Sequence, residues 1–165
     1  MQETGRYFVA IDPGPGVLGA LGEAQEELRE SGGPPIRWTR PEAMHLTLKF
    51  LGGNVARSAA EGAVAAMGPA LAGSAPFELE VRGLGAFPSP KRARVLWAGA
   101  EDPSGALSAL QSSIESETAG LGPPTREFHA HVTLGRLRDR RGRADLSGLI
   151  EPMAERSFGT VDVRE

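Results

Sequence analysis

Met44-His45-Leu46-Thr47-Leu48-Lys49-Phe50-Leu51 and His131-Val132-Thr133-Leu134-Gly135-Arg136-Leu137 open their apolar runs with one pattern, His-x-Thr-apolar. The chain has only three histidines and seven threonines in 165 residues. Two such coincidences arise by chance in about half a percent of chains of this composition. Both runs read as strands. Alternation puts His and Thr on one strand face and their apolar partners on the other. Each run therefore offers an imidazole and a hydroxyl side by side, backed by a hydrophobic surface. Two such strands facing each other make a symmetric acid–base site.

Working outward, the order of elements is written twice. The first half predicts a strand over 6–11, a helix from Asp12-Pro13 to about 31, a strand over 44–51, a helix over about 55–72 and a strand over 77–84. The second predicts a strand over 94–99, a helix from Asp102-Pro103 to about 119, a strand over 131–137, a short helix over about 145–151 and a strand over 158–164. Asp12 and Asp102 are candidate N-caps, each followed by proline at the first helical position. Val17, Leu21, Ala24 and Leu28 form one helical stripe, Ala60, Val64, Met67 and Leu71 a second, and Leu107, Leu110, Ile114 and Leu121 a third. Gly32-Gly33-Pro34-Pro35 ends the first helix. Phe77, Leu79 and Val81 alternate with Glu78, Glu80 and Arg82, the period of a half-solvated strand.

Strands interleaved with helices also suit a parallel α/β fold. No glycine-rich phosphate fingerprint follows the first strand, however. Gly14-Pro15-Gly16 has the wrong spacing and a proline where a free N–H is wanted. The expectation is instead α+β: two pseudo-symmetric lobes, each a curled, mainly antiparallel sheet with helices outside, and the active-site cleft between them. One bilobal domain spans 1–165, its internal repeat dividing at roughly 1–88 and 89–165.

Composition narrows the function classes. With no cysteine, disulfides and thiolate metal sites are excluded. A formal net charge of −3 argues against a nonspecific nucleic-acid coat, though not against a local basic patch. No signal peptide and no long apolar stretch is seen, so no membrane association is expected and the cytoplasm is the expected compartment.

The chemistry centres on His45 and His131. Imidazole titrates near neutrality, at an unperturbed pKa of about 6.5, so one can act as base and the other as acid. In-line displacement at phosphorus needs those groups on opposite sides of a phosphate, where Thr47 and Thr133 would hold its non-bridging oxygens. The alternative is two unrelated histidines on two strands where threonine is an ordinary residue. His129 and His131 form a His-x-His pair, yet Glu127 is the only acidic residue nearby and no closed metal ligand set is visible. No metal is expected on that ground. Two basic segments, Lys91-Arg92-Ala93-Arg94 and the run Arg136, Arg138, Arg140, Arg141, Arg143, read either as solvated loops or as phosphate contacts. Arg126 is the candidate for the scissile phosphate, and Lys91 and Arg92 for further contact. Trp38, Phe87 and Phe128 are candidates to stack on a base or to pack in the core.

These residues resemble the 2H phosphoesterase superfamily, in particular the bacterial and archaeal RNA 2′,3′-cyclic phosphodiesterases, the LigT-like family first described as 2′-5′ RNA ligases. The resemblance rests on Arg37-Trp38 with Pro41-Glu42-x-x-His45-Leu46-Thr47-Leu48-Lys49-Phe50-Leu51-Gly52, on Gly83-Leu84-Gly85-Ala86-Phe87-Pro88 with Arg94-Val95-Leu96-Trp97, and on Arg126-x-Phe128-His129-x-His131-Val132-Thr133-Leu134-x-Arg136. It implies a bilobal α+β fold with a central cleft, no metal and no nucleotide cofactor, and hydrolysis of an RNA-terminal 2′,3′-cyclic phosphate to a 2′-phosphate. In that scheme His45 and His131 are the catalytic pair, Thr47 and Thr133 hold the phosphate, and the partner is an RNA end or cyclic nucleotide bound by a monomer. Family members usually continue with another strand beyond the position of Val163-Arg164-Glu165. The expectation is either a shortened chain or a second lobe without one edge strand. Joining of RNA ends through a 2′-5′ bond, a non-catalytic RNA-end or nucleotide-binding module, and a phosphodiesterase of small cyclic phosphates are the rival readings.

Overall fold

The alternating runs become strands and the 3.6-period stripes become helices in the computed structural model, which describes residues 2–164. In chain order the elements are β1 (Thr4–Ile11), α1 (Gly14–Glu30), β2 (Ile36–Trp38), β3 (Leu46–Ala56), α2 (Arg57–Ala72), β4 (Phe77–Phe87), β5 (Val95–Glu101), α3 (Ala106–Glu117), β6 (His131–Leu137), α4 (Ser147–Ile150) and β7 (Ser157–Val163). Single 3₁₀ turns occupy Pro41–Ala43, Pro90–Arg92 and Glu151–Met153. The fold is α+β, a curled seven-stranded antiparallel sheet with four helices among the described residues.

The strands run in the order β1-β3-β6-β5-β4-β7, with β2 pairing to the far end of β6. Pairing β5–β6 repeats pairing β1–β3, and the two pairs meet at a single rung, Leu46 opposite Val132. Beyond that rung β6 is taken up by β2, Ile36–Trp38 lying against residues 135–137. The sequence halves interleave: β4, from the first, lies between β5 and β7, from the second. Helix α1 likewise crosses over to pack on β7, while α2 and α3 pack on each other and on β3.

One face of the central strands is sealed by these helices. Leu46, Leu96, Val132 and Leu134 are at most 1% exposed. Full burial of each such side chain stabilises the fold by about 1.5–3 kcal/mol, so this face sets which way the sheet turns. Gln25 of α1 donates from Nε2 to the carbonyls of Thr39 (2.9 Å) and Leu134 (3.0 Å), fixing the chain between β2 and β3 against β6.

Local expectations needed three corrections. Neither aspartate is the residue next to its helix. Asp12 accepts the Gly14 N–H at 2.8 Å ahead of α1. Asp102 stands four residues before α3 and accepts the N–H groups of Ser104 (2.9 Å) and Leu107 (2.7 Å), so its carboxylate caps the helix over a loop that includes Pro103. Val64 is 64% exposed, because α2 turns Ala60, Ala63 and Met67 inward. Leu121 falls beyond α3, which ends at Glu117.

Candidate active site

The Leu46–Val132 rung decides where the motifs point. Its two side chains enter the sealed face, so residues one place either side leave the opposite face. His45, Thr47, His131 and Thr133 therefore share that open face. The two motifs meet at this one recorded rung, Leu46 opposite Val132. The imidazoles lean toward opposite sides of that rung, His45 toward Phe8 of β1 and His131 toward Phe87 of β4. Thr47 is exposed and both histidines are half-buried.

Aromatic rings hold the imidazoles. Phe8 of β1 stacks on His45, centroids 4.5 Å apart and planes 16° apart. On the other side Phe87 meets His131 edge-on at 5.0 Å and His129 at 5.4 Å. Trp97 packs against His129 at 4.7 Å and against Phe87 at 5.1 Å. Gly85 makes room for that indole: a Cβ there would collide with the Trp97 ring. Trp97 sits opposite Thr133 in the β5–β6 ladder, as Ala10 sits opposite Thr47 in β1–β3.

Ring electrostatics differ between the two histidines. Burial lowers the pKa of His45 below 6.5, and the nearby Asp12 charge opposes that. Burial also lowers His131; its bond to the His129 carbonyl opposes this, while His129 and the Arg136 charge lower it further. His131 Nδ1 lies 2.6 Å from the His129 carbonyl oxygen. As the N–H donor of that bond, Nδ1 keeps the proton in the neutral ring and leaves Nε2 as the free lone pair.

The other expected contacts are spread more widely. Arg126 is exposed on the loop between α3 and β6. Lys91 and Arg92 are exposed on the Pro90–Arg92 turn; the pKa of the Asp145 carboxyl is lowered chiefly by its hydrogen bonds from Ser147, with a smaller contribution from the Lys91 charge. Phe87 reaches the histidines, whereas Trp38 and Phe128 pack against the core, with Arg29 over the Trp38 ring. His129 is exposed at the entry to β6. No group of three or more His, Asp or Glu side chains that could hold a metal occurs among the described residues. Sequence reasoning did not single out Phe8 as a site residue. Its signal, a ring two places from Ala10 on the strand preceding the first motif, becomes readable only once β1 is known to pair with β3.

The curled antiparallel sheet and the paired His-x-Thr motifs place the chain among the phosphoesterases. The model of the LigT-like phosphoesterase family matches residues 11–97 and 99–165, and the chain belongs to that family. A relative from Methanothermobacter thermautotrophicus, named RNA 2′,3′-cyclic phosphodiesterase, is 34% identical over 161 residues, covering 97% of this chain and 86% of its own. One of the same name from Aeropyrum pernix is 33% identical over 151 residues, covering 89% and 82%. Among solved structures, E. coli LigT complexed with 3′-AMP superposes with a TM-score of 0.68 at 25% identity, covering 98% of this chain and 84% of that one. The protein TT0787 of Thermus thermophilus shares the fold with a TM-score of 0.70 at 24% identity, covering 97% and 81%. No helix among the described residues is long and apolar enough to cross a membrane.

Proposed function

We propose that the protein hydrolyses RNA-terminal 2′,3′-cyclic phosphates to 2′-phosphates, with His131 as general base and His45 as general acid. The observation that carries this reading is the meeting of the two His-x-Thr motifs at one rung of the sheet, Leu46 opposite Val132. The names of the relatives supply the substrate class. Water attacks phosphorus while Nε2 of His131 takes its proton. The P–O3′ bond breaks, and His45 gives its proton to the departing O3′. Thr47 and Thr133 donate to the non-bridging oxygens, whose charge grows in the transition state.

The division of labour follows from surroundings. Phe8 lies flat against His45 and Asp12 is near it, and both favour a charged ring. At His131 burial disfavours charge, the bond to the His129 carbonyl opposes this, and His129 and Arg136 add to it; that bond commits Nδ1–H and leaves Nε2 to take a proton. The reaction needs no metal in this scheme, and a monomer in the cytoplasm suffices for it.

Product analysis tests the proposal directly. The protein is incubated with a short RNA ending in a 2′,3′-cyclic phosphate, with EDTA present. A 2′-phosphate product is expected. A 3′-phosphate, a 2′-5′-joined product as the main species, or activity that requires added Zn²⁺ or Mn²⁺ would each refute it.

A further inference from the structure

On the far side of Phe87 from His131 lies a groove of about 610 Å³ walled by Arg37, Arg94, Arg136, Arg140 and Arg143. Its volume falls within the roughly 300–1,000 Å³ of ordinary ligand pockets. Phe87, Pro88, Val95 and Leu137 line it as well, and no carboxylate does. None of the five guanidinium groups forms an ion pair among the described residues. Their protein contacts are main-chain carbonyls: Arg94 donates to that of Arg140, and Arg143 to that of Gly142. Arg37 and Arg136 are direct cross-strand partners. Like charges placed opposite each other on a sheet destabilise it. A chain that is acidic overall has therefore gathered five unpaired cations around one apolar floor, at a cost to the fold, and an anion that enters the groove relieves that cost.

We infer that this groove is a second phosphate-binding site, taking the backbone of a single-stranded nucleic acid on the 5′ side of the end held at the histidines. The inference rests on the functional reading above for the position of that end. Phe87 joins the two places, touching His131 at 5.0 Å and lining the groove. From His131 to Arg136 the strand advances roughly 16 Å, the reach of a few nucleotides rather than of the reacting group. Cationic rims over an apolar, aromatic-edged floor suit phosphates and bases of a single strand together. Lys91 and Arg92 stand outside these walls, so the groove, not their turn, is the track for the chain.

The test compares substrates ending in a 2′,3′-cyclic phosphate, from a mononucleotide to roughly an octamer, with the parent protein and the Arg140→Gln/Arg143→Gln double variant. For the parent, kcat/KM rises with length and that rise shrinks with salt. In the double variant the octamer-to-mononucleotide ratio falls by about tenfold or more and its salt dependence flattens. No gain with length in the parent, or equal losses on both substrates, overturns the inference. A second arm measures binding of an octamer ending in a 3′-hydroxyl, with tripolyphosphate as competitor. If no cyclic phosphate is cleaved at any length but this octamer binds and the double variant weakens it, the groove stands and the proposed activity falls. If cyclic phosphates are cleaved while octamer binding ignores both arginines, or tripolyphosphate binds the groove and the octamer does not, the groove proposal falls alone.

Discussion

In the proposed mechanism the paired imidazoles set the pH behaviour. Both have folded pKa values lowered from 6.5 in the free protein, chiefly by burial. The active form carries one proton on the pair, so kcat/KM, which reports the free protein, is expected to peak below about pH 6.5. Its acidic limb reports loss of the base, its alkaline limb loss of the acid, and the two apparent values belong to the coupled pair. A bound anionic phosphodiester favours imidazolium, so kcat peaks at higher pH than kcat/KM. His131→Ala removes the acidic limb and His45→Ala the alkaline one. Each should lower the rate roughly 10²–10⁴-fold, and the double variant far less than the product of the two. Matching profiles for kcat and kcat/KM, or loss of the same limb from both variants, would reverse or remove the assigned roles. Gly85→Ala tests the aromatic wall. The added methyl must push the Trp97 indole aside, and with it Phe87 and His129. We expect kcat to fall about tenfold or more, as small misplacements near a reacting group do, while thermal unfolding shows the protein still folded. Unchanged kcat with a shifted Trp97 fluorescence spectrum would show that the indole only fills space.

Between elements, the decisive contact is Lys49, four residues past His45. It is 2% exposed, donates to Glu115 of α3 at 2.7 Å and to the Pro123 carbonyl at 2.9 Å. Glu115 also accepts the Thr125 N–H at 3.1 Å. One buried ammonium thereby ties the first motif strand to α3 and to the loop that enters the second. Glu115→Gln leaves that ammonium without its charge partner and should cost about 3–5 kcal/mol. Lys49→Met removes the buried charge itself and leaves a carboxylate that water can reach, so a smaller loss of about 1–3 kcal/mol is expected. Urea unfolding of both variants checks the order, and the reverse order would mean that packing rather than charge dominates. Burial raises the Glu115 pKa, but Lys49 and the Thr125 N–H outweigh it and leave the folded value below 4.5. This part of the stability is therefore complete above pH 4.5 and is lost as pH falls through the folded value; Glu115→Gln should flatten that stretch of the acid profile. Patterning in the sequence explains why the elements themselves were readable. Leu46-Thr47-Leu48 and Val132-Thr133-Leu134 alternate cleanly, and α1 buries the stripe it promised. Ile36-Arg37-Trp38 is too short to show a period, so β2 was invisible. Lys49 and Phe50 break the alternation of β3, and a charged residue in an apolar run says nothing of the distant Glu115 that lets it be buried.

Across the whole molecule, the order of elements was legible but their assembly was not, since strand order depends on contacts between residues far apart in sequence. The same holds for the arginine groove: the charges of Arg136–Arg143 are plain in the sequence, yet joining them to Arg37 and Arg94 needs β6 to lie between β2 and β5. The interleaving has a consequence for folding. Strand β4 belongs to the first half but has only second-half neighbours, β5 and β7. Helix α1 buries Val17, Leu21, Ala24 and Leu28, and it packs on β7. A fragment of residues 1–88 would thus leave β4 unpaired and the apolar face of α1 uncovered. Neither loss can be offset within the fragment, because a helix gains most of its stability from packing that face. We therefore expect residues 1–88 alone to give a disordered far-ultraviolet circular dichroism spectrum. The full chain should unfold in one step, as single domains of this size do. Trp38 on β2 and Trp97 on β5 come from different halves of the chain and flank the same strand, β6. Their fluorescence and the backbone dichroism should trace one urea curve, with a slope of about 1–3 kcal/mol per molar. A folded fragment, or fluorescence and dichroism curves with separate midpoints, would show instead that each copy of the repeat is a domain in its own right.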